Sequence, residues 1–112
     1  MKYWGTMDQE CIKLCDTINK LSGIKTKESC CGHGDDFFRI WFKVTKLDKL
    51  PVLLYFCDSC HVGFSWDCIV TTDCGMSPVT FCLRSKVPGE QAYMQANRIS
   101  YEIEKFLKEE RE

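Results

Sequence analysis

Ser29-Cys30-Cys31-Gly32-His33-Gly34-Asp35-Asp36, followed at once by Phe37-Phe38-Arg39-Ile40-Trp41-Phe42-Lys43-Val44-Thr45, sets the architecture expected of this chain. The second half alternates. Phe38, Ile40, Phe42 and Val44 share one side and Phe37, Arg39, Trp41 and Lys43 the other, the period of a strand with one buried face. The first half separates that strand from another extended run, Ile24 to Cys30. A plain hairpin needs only a two-residue turn such as Asn-Gly. This connection is longer and holds two glycines, vicinal cysteines and one of the only two histidines in the chain. It is therefore read as the functional loop.

Outward from this stretch the pattern is helical on both sides. Thr6 and Gln9 form a capping box. Met7, Cys11, Leu14, Cys15, Ile18 and Leu21 then recur at helical spacing, with Gly23 as the stop. Asp48 to about Cys60 is expected as a second helix with Pro51 in its first turn, its stripe being Leu50, Leu53, Leu54, Cys57 and His61. Gly63 breaks it. Two strands follow, Trp66 to Asp73 and Val79 to Lys86, joined by Cys74-Gly75-Met76-Ser77-Pro78. A last helix, Pro88 to Glu110, turns Ala92, Ala96, Ile99, Ile103, Phe106 and Leu107 inward. The order helix-strand-strand-helix-strand-strand-helix defines a single α+β domain over residues 1–112, helices packed on one mostly antiparallel sheet. Thr26 to Cys30 and Thr71 to Gly75 occupy equivalent places in the two halves. This internal similarity would set both loops on one edge of the sheet.

Composition narrows the class. The 112 residues suffice for one core without staples, and 45% apolar with 28% charged residues is ordinary for a globular protein. A formal net charge of -1 gives no global attraction to nucleic acid or anionic lipid, so any anion site must be local. No membrane span or signal segment is read in the sequence, and a cytoplasmic location is expected. Nine cysteines are the one abnormal count. In a reducing compartment most are expected to be small buried hydrophobes, Cys11 and Cys15 among them.

Several chemistries compete for the loop. Glycines allow successive amides to converge on an anion, with His33 as a titratable donor, although Glu28, Asp35 and Asp36 oppose a multiply charged phosphate. A tetrahedral zinc with ligands drawn from Cys30, Cys31 and His33 and from Cys57, Cys60 and His61 is a second reading. Cys57-Asp58-Ser59-Cys60-His61 also spells a haem-attachment motif, which an unexported chain does not use, and its dithiol lies toward a helix C-terminus, where thiolates are disfavoured. A nucleophilic Cys30 or Cys31 with His33 as base would require a geometry that adjacency alone does not supply.

The run Thr26-Lys27-Glu28-Ser29-Cys30-Cys31-Gly32-His33 resembles the signature Thr-x-Ser-Ser-Cys-Ser-Gly-Arg of the wybutosine-synthesising tRNA methyltransferases, the third protein of that pathway. Ser29, Cys30 and Gly32 fall on its core, while Cys31 stands for its serine and His33 for its arginine. The resemblance implies RNA modification with S-adenosylmethionine. The chain as a whole looks like small proteins of bacteriophages and prophages, which implies sequestering a host nucleotide signal or blocking a host enzyme.

The sequence thus points to a binding protein rather than an enzyme, homo-oligomeric, with no cofactor called for and a host protein as a further partner. Its small anionic, nucleotide-like ligand would be held by Ser29, Cys30, Cys31, Gly32, His33 and Gly34, with Arg39, Trp41 and the loop Thr72, Asp73, Cys74 and Gly75 alongside. Trp41 or Trp66 would stack the base. An S-adenosylmethionine-dependent RNA-modifying enzyme and a zinc-stabilised interaction module are the alternatives.

Overall fold

The computed structural model describes residues 9–71 and 80–110, with residues 9, 10, 60 and 61 described for backbone only. The Thr6 cap and the loop of Thr72, Asp73, Cys74 and Gly75 lie outside the described residues.

The fold is α+β, as the pattern required. Helix α1 (Gln9–Asn19) precedes β1 (Ile24–Cys30) and β2 (Phe37–Val44). Short helices α2 (Leu50–Tyr55) and α3 (Ser59–Val62) lead to β3 (Asp67–Thr71) and β4 (Thr80–Pro88), and α4 (Gly89–Glu110) follows. The four strands form one sheet in the order β1-β2-β4-β3, every neighbouring pair antiparallel.

Alternation decides which face is covered. Phe38, Ile40 and Phe42 of β2 are fully buried, as is Leu83 of β4, while Arg39, Trp41 and Lys43 look away. Helices α1 and α4 pack on the buried face through Cys11, Leu14, Cys15 and Ile18 from one and Ala92, Ala96, Ile99 and Ile103 from the other. Burying such side chains stabilises by about 1.5–3 kcal/mol for each large one. Asn19 clamps the end of α1 to β1, its amide donating to Thr26 Oγ1 at 2.8 Å and its carbonyl accepting from the Thr26 N–H at 2.9 Å. That clamp sits at a bulge, since the register with β2 shifts between Thr26 and Glu28. A second shift, between Phe37 and Arg39, would leave the buried Phe38 N–H unmatched. The Ser85 hydroxyl accepts it at 2.9 Å and donates on to the Val87 carbonyl at 2.7 Å.

Two expectations are corrected. The helix expected from Asp48 to Cys60 is broken: a 3₁₀ turn at Leu47–Lys49 runs into α2, and α3 starts afresh at Ser59. A long-range bond ends α2, because the Cys57 carbonyl accepts from the Trp66 N–H at 3.0 Å instead of continuing the helical ladder. Nor do Cys30 and Thr71, from which the two loops lead, lie at one end of the sheet. Cys30 aligns through Arg39 and Arg84 with Asp67, the start of β3, whereas Thr71 aligns with Thr80 and Lys43. The loop after Cys30 and the end of β3 are therefore at opposite ends of the sheet.

Candidate functional site

The loop after β1 is a tight corner. Gly32, His33 and Gly34 all take positive φ, at 83°, 52° and 91°. Gly32 is buried, and a Cβ there would lie 3.0 Å from the Phe37 carbonyl oxygen. Gly32 donates its amide to Cys30 Sγ at 3.4 Å and His33 donates to Cys31 Sγ at 3.3 Å. The Asp35 and Asp36 amides both donate to the Gly32 carbonyl, and the Phe37 amide to Asp36 Oδ1. These five amides are spent on holding the corner: two go to thiols, two to a carbonyl and one to a carboxylate.

The side chains of this corner diverge because strand residues alternate. Cys31 is buried in the core, while Cys30 lies on the opposite face beside Arg39. Ser29 points inward toward the Cys15 thiol. His33 is exposed, its Nδ1 4.0 Å from Cys31 Sγ. Burial pushes the Cys15 thiol up from 9.0 to about 11, with Ser29 and Thr26 opposing the rise. Burial also raises Cys68 to about 11, and raises Cys57 and Cys82. These four remain thiols at neutral pH, unsuited to attack or to metal binding without loss of a proton. Among the described residues no three His, Cys, Asp or Glu side chains converge on a point where a metal would sit. Trp66 is no stacking platform: it is buried, 5.4 Å from Phe38 between ring centroids, and its indole N–H donates to Gln95 Oε1 at 2.8 Å.

The sheet face opposite α1 and α4, free of helix among the described residues, is different. Arg39 and Arg84 stand opposite one another on β2 and β4. The Arg39 guanidinium lies 5.7 Å from the Trp41 ring centroid, and that of Arg84 lies 5.9 Å from Phe37. Asp36 pairs with Arg39 at 3.2 Å, and Asp67 with Arg84 at 3.6 Å and Lys86 at 3.7 Å. The Nε–H of both arginines is buried with no acceptor among the described residues. Like charges directly across an antiparallel pair cost a few tenths to about 1 kcal/mol, which a bridging anion would reverse. Lys25, Lys27 and Lys43 add to this face, so its cations outnumber Glu28, Asp36 and Asp67 although the whole chain carries -1.

Further along this face, toward the Thr71 end, is a pocket of about 200 Å³ lined by Lys27, Glu28, Trp41, Thr71 and Thr80, one or two residues from each of the four strands; Arg39 reaches it through its contact with Trp41. Sites that enclose a whole drug-sized ligand run to roughly 300–1,000 Å³, so this one is smaller than such a site. Of the residues expected at the site, the structure brings Cys30, Arg39 and Trp41 together on this face. Lys27, Glu28, Thr71, Thr80 and Arg84 join them. The outward cations of β4, Arg84 and Lys86, were the signal in the sequence for that strand's share.

In comparisons with known proteins, no family model, no curated protein and no solved structure matched this chain. The likeness to the wybutosine-synthesising enzymes rests on residues 26–33 alone.

Proposed function

We propose that this protein binds a small anionic, nucleotide-like ligand on the helix-free face of its sheet. The base enters the Trp41 pocket and stacks on the indole. The anionic group bridges Arg39 and Arg84. The observation that carries the reading is the pair of opposed guanidiniums, each with a buried Nε–H unmatched among the described residues, with Arg39 lying against the Trp41 that lines the pocket. A sheet whose outward aromatics stack bases is a recurring way of holding unpaired nucleotides. Glu28, an acceptor in the pocket, favours bases with an exocyclic amino group over uracil.

Calorimetric titration of the intact chain with nucleoside monophosphates tests this. Saturable heat is expected, with cytidine, adenosine or guanosine phosphates ahead of uridine phosphate. Trp41→Ala should weaken binding by about 1–3 kcal/mol, the usual worth of one base–aromatic stack. An unchanged affinity in Trp41→Ala would sink the proposal.

A further inference from the structure

The two edges of the sheet are built differently. The β1 edge carries exposed Lys25, Lys27 and Glu28 and is bent by the bulge after Thr26. Charges and bulges are how natural sheets keep an edge from pairing with another chain. The β3 edge has no bulge, and its one charge is Asp67 at the start of the strand. Its register with β4 runs from Asp67 to Thr71 without a shift. Its centre is Cys68-Ile69-Val70, with Ile69 38% and Val70 58% exposed although both are β-branched and apolar. Among the described residues no strand lies outside β3.

We infer that β3 pairs with β3 of a second copy of this chain, antiparallel about a two-fold axis at Ile69. The occupant follows from charge and symmetry. In this register Ile69 meets Ile69 of the partner subunit, Val70 meets Cys68 of the partner subunit, and the sole charged residue of the strand, Asp67, meets Thr71 of the partner subunit. No like-charged pair faces another across the seam, and apolar side chains meet on both faces of the sheet. A parallel arrangement would set the two Asp67 carboxylates side by side. The result is a single eight-stranded sheet, within the size that open twisted sheets reach. The inference rests on the edge itself and is independent of the ligand.

The test is the mass of the intact chain by light scattering at micromolar concentration, with Ile69→Lys and Val70→Lys as variants and Ile69→Cys as a reporter. The expected mass is twice the 13.0 kDa of one chain. Either lysine variant should yield monomer with its far-ultraviolet circular dichroism unchanged. Mild oxidation of Ile69→Cys should give a 69–69 cross-link identified by peptide mass spectrometry, a readout that holds even if a lysine variant fails to fold. A monomeric wild-type chain, a dimer that survives both lysines, or a dimer without the 69–69 cross-link overturns the proposal. A monomer that captures a strand from some other protein overturns it as well.

Discussion

Replacing Gly32 by alanine tests the corner that turns β1 into β2. At φ 83° an L-residue is strained by about 1–2 kcal/mol. The added methyl also meets the Phe37 backbone, with oxygen, carbon and nitrogen at 3.0, 3.2 and 3.3 Å. Backbone yields less readily than a side-chain tip, and Gly32 is also the acceptor for the Asp35 and Asp36 amides. Against this, alanine restricts the unfolded chain, which returns about 0.4–1 kcal/mol. Gly34→Ala is the internal control: its φ is 91° but nothing lies within 4 Å of the new methyl. Gly34→Ala should therefore cost about 1 kcal/mol or less, and Gly32→Ala about 1–2 kcal/mol more than that. At roughly 4 °C per kcal/mol for a domain of this size, the two melting temperatures should differ by roughly 4–8 °C. Thermal melts of both variants beside the parent chain read the difference. Equal melting temperatures would refute the close approach of Gly32 to Phe37 and the corner described around it. Because Gly32 is this constrained, a bulky residue there disturbs the fold itself and is no selective probe of binding.

Other outcomes follow from the same geometry. Ser85→Ala removes the acceptor of the buried Phe38 N–H and should cost about 1–3 kcal/mol in urea unfolding, while Ser85→Thr, keeping the hydroxyl, should cost less. Raised thiols fix the alkaline limit: folded Cys15 holds its proton up to about 11 while the unfolded chain releases it near 9.0. Its contribution is therefore intact below pH 9 and is lost as pH rises through 11, about 2–3 kcal/mol in all. Cys15→Ala should flatten that part of the stability profile, and an equally steep decline in the variant would assign the effect elsewhere. Arg39→Lys keeps the charge but loses the planar fork, so it should weaken ligand binding and leave the melting temperature unchanged within about 2 °C.

Period and composition made much of this fold legible. The alternation from Phe37 to Val44 named the buried side of β2 correctly, and the stripes of α1 and α4 named Leu14, Ile18, Ile99 and Ile103. What local pattern cannot carry is a bond made across the fold. The break after Tyr55 depends on Trp66 capturing the Cys57 carbonyl from nine residues away, beyond the four-residue reach of a helical bond. The burial of Trp66 depends on Phe38 and Gln95. Likewise the loop amides looked available until the neighbouring sulfurs were found to accept them. Arg39 and Trp41 were legible as an aromatic–cation face, but their companions Lys27, Glu28, Thr71, Thr80 and Arg84 sit on three other strands. Only strand order and register bring those together.

The central claim is that ligand meets the chain on the open sheet face around Trp41. It is tested most directly by amide and indole resonance mapping during titration with cytidine and adenosine monophosphates. Shifts are expected to saturate together at the Trp41 indole, Lys27, Glu28, Arg39, Thr71, Thr80 and Arg84, with the Gly32–Gly34 amides barely moving. Shifts centred on Gly32, His33 and Gly34, or none on either face at saturating nucleotide, would contradict it.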